Sequence, residues 1–467
     1  MAEVTRFEPA SIQYERLHER LAIHSEAKTR TLYPVNDGTF SPIAASVIRF
    51  NLTGDVVDFR ESYITFTLNI ADSAASLDYS SLAVINRWRL LGPGGVIIDD
   101  ISGFGPYATA MIQARASTEF LRGPASFFGC PTRPFAGSEK DQVADGSSVT
   151  LAMPIQFGLL GSAVPLPLFL TPSGLTLELT LESSAVALVS ATAAAYTITS
   201  CKMNVHDIRV ESDTRATILS KLGESGGFEL PYEGVQHIPD SGPYTAGTKI
   251  CRLDSSIQSC KSVYGLIRDE LYLGGTAATA PSISCRCGVG FSKCWFTNAA
   301  SVFPEGRISS TVEAYMELKK SLGQSIADGS ATGQITRANY ESVTADHTTD
   351  VSSLGDGALT STSTLDTLTL TEGTPNTILA SAIGTTIAVA GTETTCLMNT
   401  FMVGIDTESF ESDGERLKSG ITIENATMTY EMSGATAGAT HTRRYDHYLV
   451  HDRAAIITPD GMIHPAS

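Results

Sequence analysis

Few residue groupings in this chain could do chemistry. Cys285, Cys287 and Cys294 form the tightest cysteine group, but a zinc site takes four soft or imidazole ligands in a tetrahedron and only three are local here. On a strand Cys285 and Cys287 share a face, so reduced thiols in an apolar core account for the spacing, with a bound metal as the alternative. Asp446, His447, His451 and Asp452 stand close together near the C-terminus. Histidines at that spacing on a strand face the same way, which suits a metal or an acid–base pair. No nucleophile motif accompanies them, so a solvated or subunit-contact patch is the expectation. The acidic pairs Asp99-Asp100 and Asp269-Glu270 fall at predicted strand ends and read as solvated. Gly103-Phe104-Gly105-Pro106 superficially matches the start of a phosphate loop, yet Pro106 lacks the backbone N–H a phosphate would need, so the stretch reads as a turn into a helix. The sequence has no Walker motif, no Gly-x-Ser-x-Gly elbow and no His-Glu-x-x-His. No catalytic, cofactor-binding or metal residue is assigned, no cofactor is expected, and the chain is read as no enzyme.

The elements around these groups suggest a building block. The chain has 467 residues, more than one hydrophobic core usually serves, so two large domains are expected. Its hydrophobic share of 42% is ordinary and its charged share of 18% is low, with Ser, Thr, Ala and Gly filling the difference. A formal net charge of -18 argues against direct, sequence-specific nucleic-acid binding, which rests on Lys and Arg displacing counterions. The N-terminal residues Met1 to Pro9 carry acidic groups where a signal peptide would be basic and then apolar, so synthesis in the cytoplasm is expected. No apolar run is long enough for a membrane span. The eight cysteines are then expected as reduced thiols.

Hydrophobic period supplies the fold class. Ile64, Phe66, Leu68 and Ile70 alternate with Thr65, Thr67 and Asn69, and Leu175, Leu177, Leu179 and Leu181 alternate with Thr176, Glu178 and Thr180. Period two is the mark of strands with one buried face. Gly92-Pro93-Gly94-Gly95 supplies a hairpin turn between strands within Ser81 to Leu91 and Val96 to Ile101. The second half repeats the theme, with strands at Phe228 to Ile238, Lys249 to Ile257, Ser262 to Ile267, Ile283 to Phe296, Cys396 to Ile405, Ile421 to Tyr430 and Tyr448 to Ile457. Helices are predicted at Ser11 to Arg30, within Pro106 to Phe120, and at Ile308 to Leu322 with Gly323 as its stop. The resulting division is an N-terminal arm with an amphipathic helix over 1–35, a first β domain over 36–212, a linker over 213–226, and a second β domain over 227–467. The second carries a Ser/Thr/Gly/Ala-rich outer insertion at about 323–395. A secreted or surface β-sandwich, lectin-like or adhesin-like, is the alternative from another class, and it calls for a secretion signal.

Ile85-Asn86-Arg87-Trp88-Arg89-Leu90, the glycine turn and Ile97-Ile98-Asp99-Asp100-Ile101 together resemble the first domain of double jelly-roll major capsid proteins, as in polinton-like viruses, virophages and adintoviruses. Pro165-Leu166-Pro167-Leu168 leading to Gly174 is similar to the family's approach to a late strand of that domain. In the second half Cys260 to Tyr264 with Arg268, Pro304 through Tyr315 and Leu318 as a proline-initiated helix, Phe401 to Ser409, Leu417 to Gly420 and Tyr448 to Gly461 resemble successive family segments in order. Gly103 to Pro106 departs from the Asn and Tyr expected at that place. The resemblance implies an all-β fold with minor helices, made of two tandem eight-stranded jelly rolls. It implies a homotrimer of pseudo-hexagonal outline, with trimers tiling an icosahedral shell around a DNA genome. Further implications are penton and minor capsid proteins as partners, room for an internal membrane, an inward N-terminal arm, and an outward 325–395 loop.

Overall fold

The computed structural model describes residues 25–130, 148–269, 283–324, 400–408, 420–432 and 442–466, apart from short internal gaps, together with Ile335 and Tyr340. In the first half the strands are β1 (Ser25–Leu32), β2 (Thr39–Phe40), β3 (Val47–Leu52), β4 (Val56–Ile70), β5 (Ser76–Leu77), β6 (Ile85–Leu91), β7 (Ile97–Ser102), β8 (Ser148–Pro154), β9 (Leu166–Pro167), β10 (Leu175–Leu181), β11 (Leu188–Val189) and β12 (Tyr196–Val210). In the second they are β13 (Phe228–Pro243), β14 (Gly247–Leu253), β15 (Cys260–Asp269), β16 (Phe291–Asn298), β17 (Ser301–Ile308), β18 (Val403–Asp406), β19 (Ala426–Met432), β20 (Thr442–Ile457) and β21 (Ile463–Ala466). The longer helices are α1 (Phe104–Arg115), α2 (Ser212–Ser225) and α3 (Thr311–Ser321).

Strand order defines the architecture. One first-half sheet runs β1-β12-β4-β8 and the other β3-β10-β6-β7; one second-half sheet runs β13-β20-β15-β18 and the other β14-β19-β16-β17. Numbering the main strands of each half in chain order, both halves read first-eighth-third-sixth in one sheet and second-seventh-fourth-fifth in the other. That is jelly-roll topology, built twice in one chain, with antiparallel pairing throughout these sheets. The smaller strands extend it: β2 pairs with β12, β9 with β4 and β21 with β20. The alternation in β10 translates directly into burial, its Leu residues lying inside and its Thr and Glu residues at the surface.

Several local expectations are corrected. Ser25–Leu32 is a strand, not the end of a helix, because it pairs in register with β12 from Ser25↔Val210 to Leu32↔Met203; the remainder of the Ser11–Arg30 expectation lies outside the described residues. The stretch read as a linker is helical: α2 is preceded by Glu211 as N-cap and closed by Gly226 at φ 74. Pro304 does not initiate α3 but sits inside β17. Ser310 starts that helix instead, accepting from Glu313 N at 3.2 Å, while Glu313 Oε2 accepts from Ser309 N at 2.6 Å, in the manner of a capping box. Of the 323–395 insertion only Gly323, Gln324, Ile335 and Tyr340 are described, and Ile335 and Tyr340 are buried. Tyr340 donates to Met402 O at 2.8 Å and its ring packs on Tyr315 and Phe401.

The apolar core does not stop at the boundary between the halves. A single contiguous cluster of buried side chains includes Trp88, Phe104 and Leu177 from the first jelly roll and Tyr264, Phe296 and Tyr448 from the second. Among the described residues no helix is long and apolar enough to cross a membrane.

Candidate functional site

The feature the fold constructs most elaborately is the seam between its two jelly rolls. On one side stand the edge strand β7, helix α1 and the turn Gly158–Gly161; on the other stand β13, β20 and β21. Helix α1 is buried almost all round from Phe104 to Ala114, as befits a helix with packed protein on several sides. Its entry residue Gly103 has φ 59, and a Cβ there would stand 2.7 Å from His237 Cε1 and 2.9 Å from the Tyr448 hydroxyl. Only glycine supplies both the left-handed backbone and the close approach. The Gly103 turn therefore acts as a docking point, its carbonyl accepting from Tyr448 Oη at 2.8 Å. Tyr232 Oη donates to Ile98 O at 2.9 Å, and Ile283 N donates to Asp78 Oδ2 at 2.6 Å. The Tyr107 and Tyr448 rings lie 4.9 Å apart between centroids.

At the centre of the seam lies Asp446, whose side chain is fully buried. Its Oδ2 accepts from Arg268 Nε at 2.8 Å and Nη2 at 2.6 Å, a two-pronged guanidinium grip. Its Oδ1 meets His237 Nε2 at 2.8 Å and Arg444 Nε at 2.9 Å. Burial by itself pushes this carboxyl up, but Arg268 first, then His237 and Arg444, outweigh it and hold it far below the usual carboxylate range. The far ring nitrogen of His237 reaches the first jelly roll, 3.1 Å from Ser102 Oγ, and the imidazole is stacked on Tyr448 at 4.7 Å.

Ser102, His237 and Asp446 thus have the connectivity of a hydrolytic triad, which no sequence motif reveals. The chemistry is nevertheless locked. The His237 side chain is only 2% exposed, covered by Tyr448, and the carboxylate that would orient a general base is already engaged by two guanidiniums. Through the Ser102–His237 contact the array joins the first lobe to the second, with the imidazole buried between them.

The structure relocates most of the chemically suggestive residues. Asp446, His447 and His451 are not a solvated patch but buried parts of β20. His447 Nε2 lies 3.0 Å from Tyr430 Oη and Nδ1 lies 3.3 Å from Ile238 O, while His451 Nδ1 lies 3.2 Å from Leu449 O. Burial lowers both histidines to about 4. Asp452 alone of the four stays near the surface, accepting from Ser259 Oγ at 2.8 Å. The Asp99-Asp100 pair is split: Asp100 accepts from Arg87 Nε at 2.6 Å on the outer sheet face, whereas Asp99 is 1% exposed. The backbone at Leu159 leans toward the Asp99 carboxylate without closing a hydrogen bond of normal geometry, and Arg453 Nη1 stands 3.9 Å away. Desolvation accordingly raises Asp99 to about 7 against the pull of Arg453. Asp269 ends β15, and Glu270 lies outside the described residues. Cys285 and Cys287 also lie outside them, while Cys294 is a fully buried free thiol on β16. Cys130, Cys201 and Cys260 are likewise buried and free, and burial pushes each up to about 12. No group of three or more metal-ligating side chains occurs among the described residues.

This architecture, two jelly rolls fused along a buried seam, is the double jelly roll. Solved structures similar to it over nearly its whole length include a chain of the Sputnik virophage (TM-score 0.60, 9% identity, 100% of this chain and 93% of that one). VP54 of PBCV-1 matches with a TM-score of 0.58 at 11% identity, covering 96% of this chain and 98% of its own. The mavirus major capsid protein matches at 0.52 and 12% identity, covering 100% and 95%. At such identities the likeness is one of fold. No family model and no curated protein matches the sequence.

Removing one partner of a buried ion pair strands the others, so Asp446→Ala is expected to cost about 3–5 kcal/mol in chemical denaturation. Asp100→Ala, on the half-exposed face, should cost within about 1 kcal/mol; equal losses would contradict the central place given to Asp446. Stability should also vary with pH. His447 and His451 stay neutral in the fold down to about 4, whereas unfolded histidines take up protons near pH 6.5, so their contribution is full above that pH and is lost as pH falls toward 4. Asp99, raised to about 7, acts in reverse: its contribution is full below about pH 4 and is lost as pH rises toward 7. Denaturation midpoints should therefore rise from pH 4 to 6.5, and rise more steeply in Asp99→Asn; an unchanged slope in that variant would contradict the assignment.

Proposed function

We propose that this chain is the major structural subunit of a viral capsid. Three copies form a trimer of pseudo-hexagonal outline, and trimers tile an icosahedral shell around a DNA genome. The observation that carries this reading is the repetition of one jelly-roll topology within a chain whose halves are joined by a continuous core. Two similar lobes per chain let a threefold assembly approximate a hexagon, the outline that packs a surface without gaps. A likeness in fold to capsid proteins of virophages and large DNA viruses supports the same reading.

Chemistry and charge agree with a structural role. The polar groups of the seam hold the lobes together, so the chain works by shape and contact and not by turnover. A net charge of -18 fits a shell that encloses its genome without a direct grip by this subunit. Within this reading, residues 1–24, ahead of β1, are an arm on the inner side of the shell, and the insertion beyond the buried Tyr340 is an elaboration on the outer side. The chain is made in the host cytoplasm and resides in the virion. Pentons and minor capsid proteins complete the shell, which can enclose an internal membrane.

Sedimentation of the purified chain tests this directly. The expected species has three times the chain mass of 49.5 kDa and a six-lobed outline by electron microscopy. A persistent monomer at all concentrations would contradict the proposal and favour a solitary binding module.

A further inference from the structure

Two carboxylates are buried along the seam, and the fold treats them differently. Asp446 is gripped by two guanidiniums and an imidazole. Asp99, on the edge strand β7, is as deeply buried, yet neither of its oxygens receives a hydrogen bond of normal geometry. A carboxylate that keeps its charge in such a place is heavily penalised, and the neutral acid far less. Burial accordingly raises Asp99 to about 7, so the closed seam holds it protonated in mild acid.

The carboxyl rests directly on the turn Gly158–Gly161. Gly158 has φ 57, and a Cβ there would coincide with Asp99 Oδ2, so the turn is shaped to the carboxyl. The same turn packs against β13 of the second lobe, where Ser162 Oγ lies 3.4 Å from Pro231 O, and it buries Leu159 and Leu160. It carries no charged side chain of its own. From β20 comes Arg453, partly exposed, with Nη1 3.9 Å from Asp99 Oδ1 and its guanidinium 6.0 Å from the centre of the Tyr232 ring. Tyr232 of β13 and Tyr107 of α1 are phenols kept neutral by burial. Glu233 of β13 is drawn away to Lys261, Asp100 is turned to the outer sheet face with Arg87 and Arg89 of β6, and His464 of β21 is exposed. Arg453 is thus the nearest cation, and it stands beyond hydrogen-bond reach.

We propose that Asp99 and the Gly158–Gly161 turn form a proton-operated catch on the seam: with the carboxyl protonated the turn stays seated against β13, and with the proton lost to solvent the turn lifts and water reaches the charge. No other bond is made or broken. Opening restores to the carboxylate the hydration that the closed seam denies it, at the cost of exposing Leu159 and Leu160. The movement is confined to this corner, because the Asp446 carboxylate stays charged and gripped across the same pH range and keeps the lobes attached. The chain is therefore stiffer at the turn in mild acid than at neutral pH. The catch rests on the packing of one chain and not on its assembly into a shell.

Hydrogen exchange of the full chain, read by mass spectrometry on the peptide spanning Leu159 to Ser162, tests the catch. Wild type is compared with Asp99→Asn at each pH, so that the intrinsic pH dependence of exchange cancels. The turn is expected to exchange faster in wild type, by a ratio that grows up to about tenfold per pH unit between pH 4 and 7 and levels off above. Strands β4 and β10 stay protected in both proteins. A second comparison, of Arg453→Gln with wild type, keeps Asp99 and stands by itself should Asp99→Asn not fold. Removing the cation makes the proton harder to lose, so the rise in turn exchange is expected at higher pH than in wild type. A ratio that does not change with pH, or a turn that exchanges only together with β4 and β10, would overturn the catch. So would a profile in Arg453→Gln that is unshifted or moves to lower pH.

Discussion

A carboxylate with no water around it must be held by cations, and in this protein the cations come from strands that only the completed fold brings together. Asp446 lies on β20, Arg268 on β15 and His237 on β13, with Ser102 of the other jelly roll beyond it. Leaving such a charge unpaired would cost several kcal/mol, so the carboxylate is satisfied only when β13, β15 and β20 of the second lobe are assembled, and His237 then carries the array to Ser102 of the first. The same seam buries Tyr232, Tyr448 and helix α1, which adds non-directional stabilisation to the directional grip. Buried ion pairs often contribute more to specificity than to net stability. Here the specificity is the relative placement of two lobes.

In the proposed role that placement matters, because a shell tile must have a fixed outline. Jelly rolls leave few strand edges exposed, so two of them can sit side by side without inviting further pairing, provided their relative position is set. The Gly103 turn, where a Cβ would collide with His237, and the C-terminal turn at Gly461, where a Cβ would stand 2.8 Å from Pro172 Cδ, bring the two lobes into close contact at two points.

The sequence made the strands legible and the seam illegible. The Leu residues of β10 and the alternation along β4 announce a sandwich because burial on one face is a local, period-two property. Asp446 and His447 read as a solvated or subunit-contact patch because charge by itself says surface; the partner that makes burial tolerable, Arg268, is 178 residues away in the chain. Ser102 and His237 are separated by 135 residues, so no spacing rule could join them. The N-terminal strand shows the opposite failure. Glu26, Ala27, Lys28 and Arg30 are good helix formers, and pairing with β12 overrides that local preference. Gly103 was visible as a turn, but the reason for its glycine lies across the seam.

The chain contains two tryptophans, Trp88 in the first jelly roll and Trp295 in the second, and they allow the fixed relation of the lobes to be measured. In the single-tryptophan variants Trp295→Phe and Trp88→Phe, denaturant unfolding followed by fluorescence reports one lobe while circular dichroism reports the whole chain. If the seam makes the lobes one body, fluorescence and circular dichroism give the same midpoint within each variant. A fluorescence transition that separates from the circular dichroism transition, with one lobe unfolding while the other persists, would contradict it.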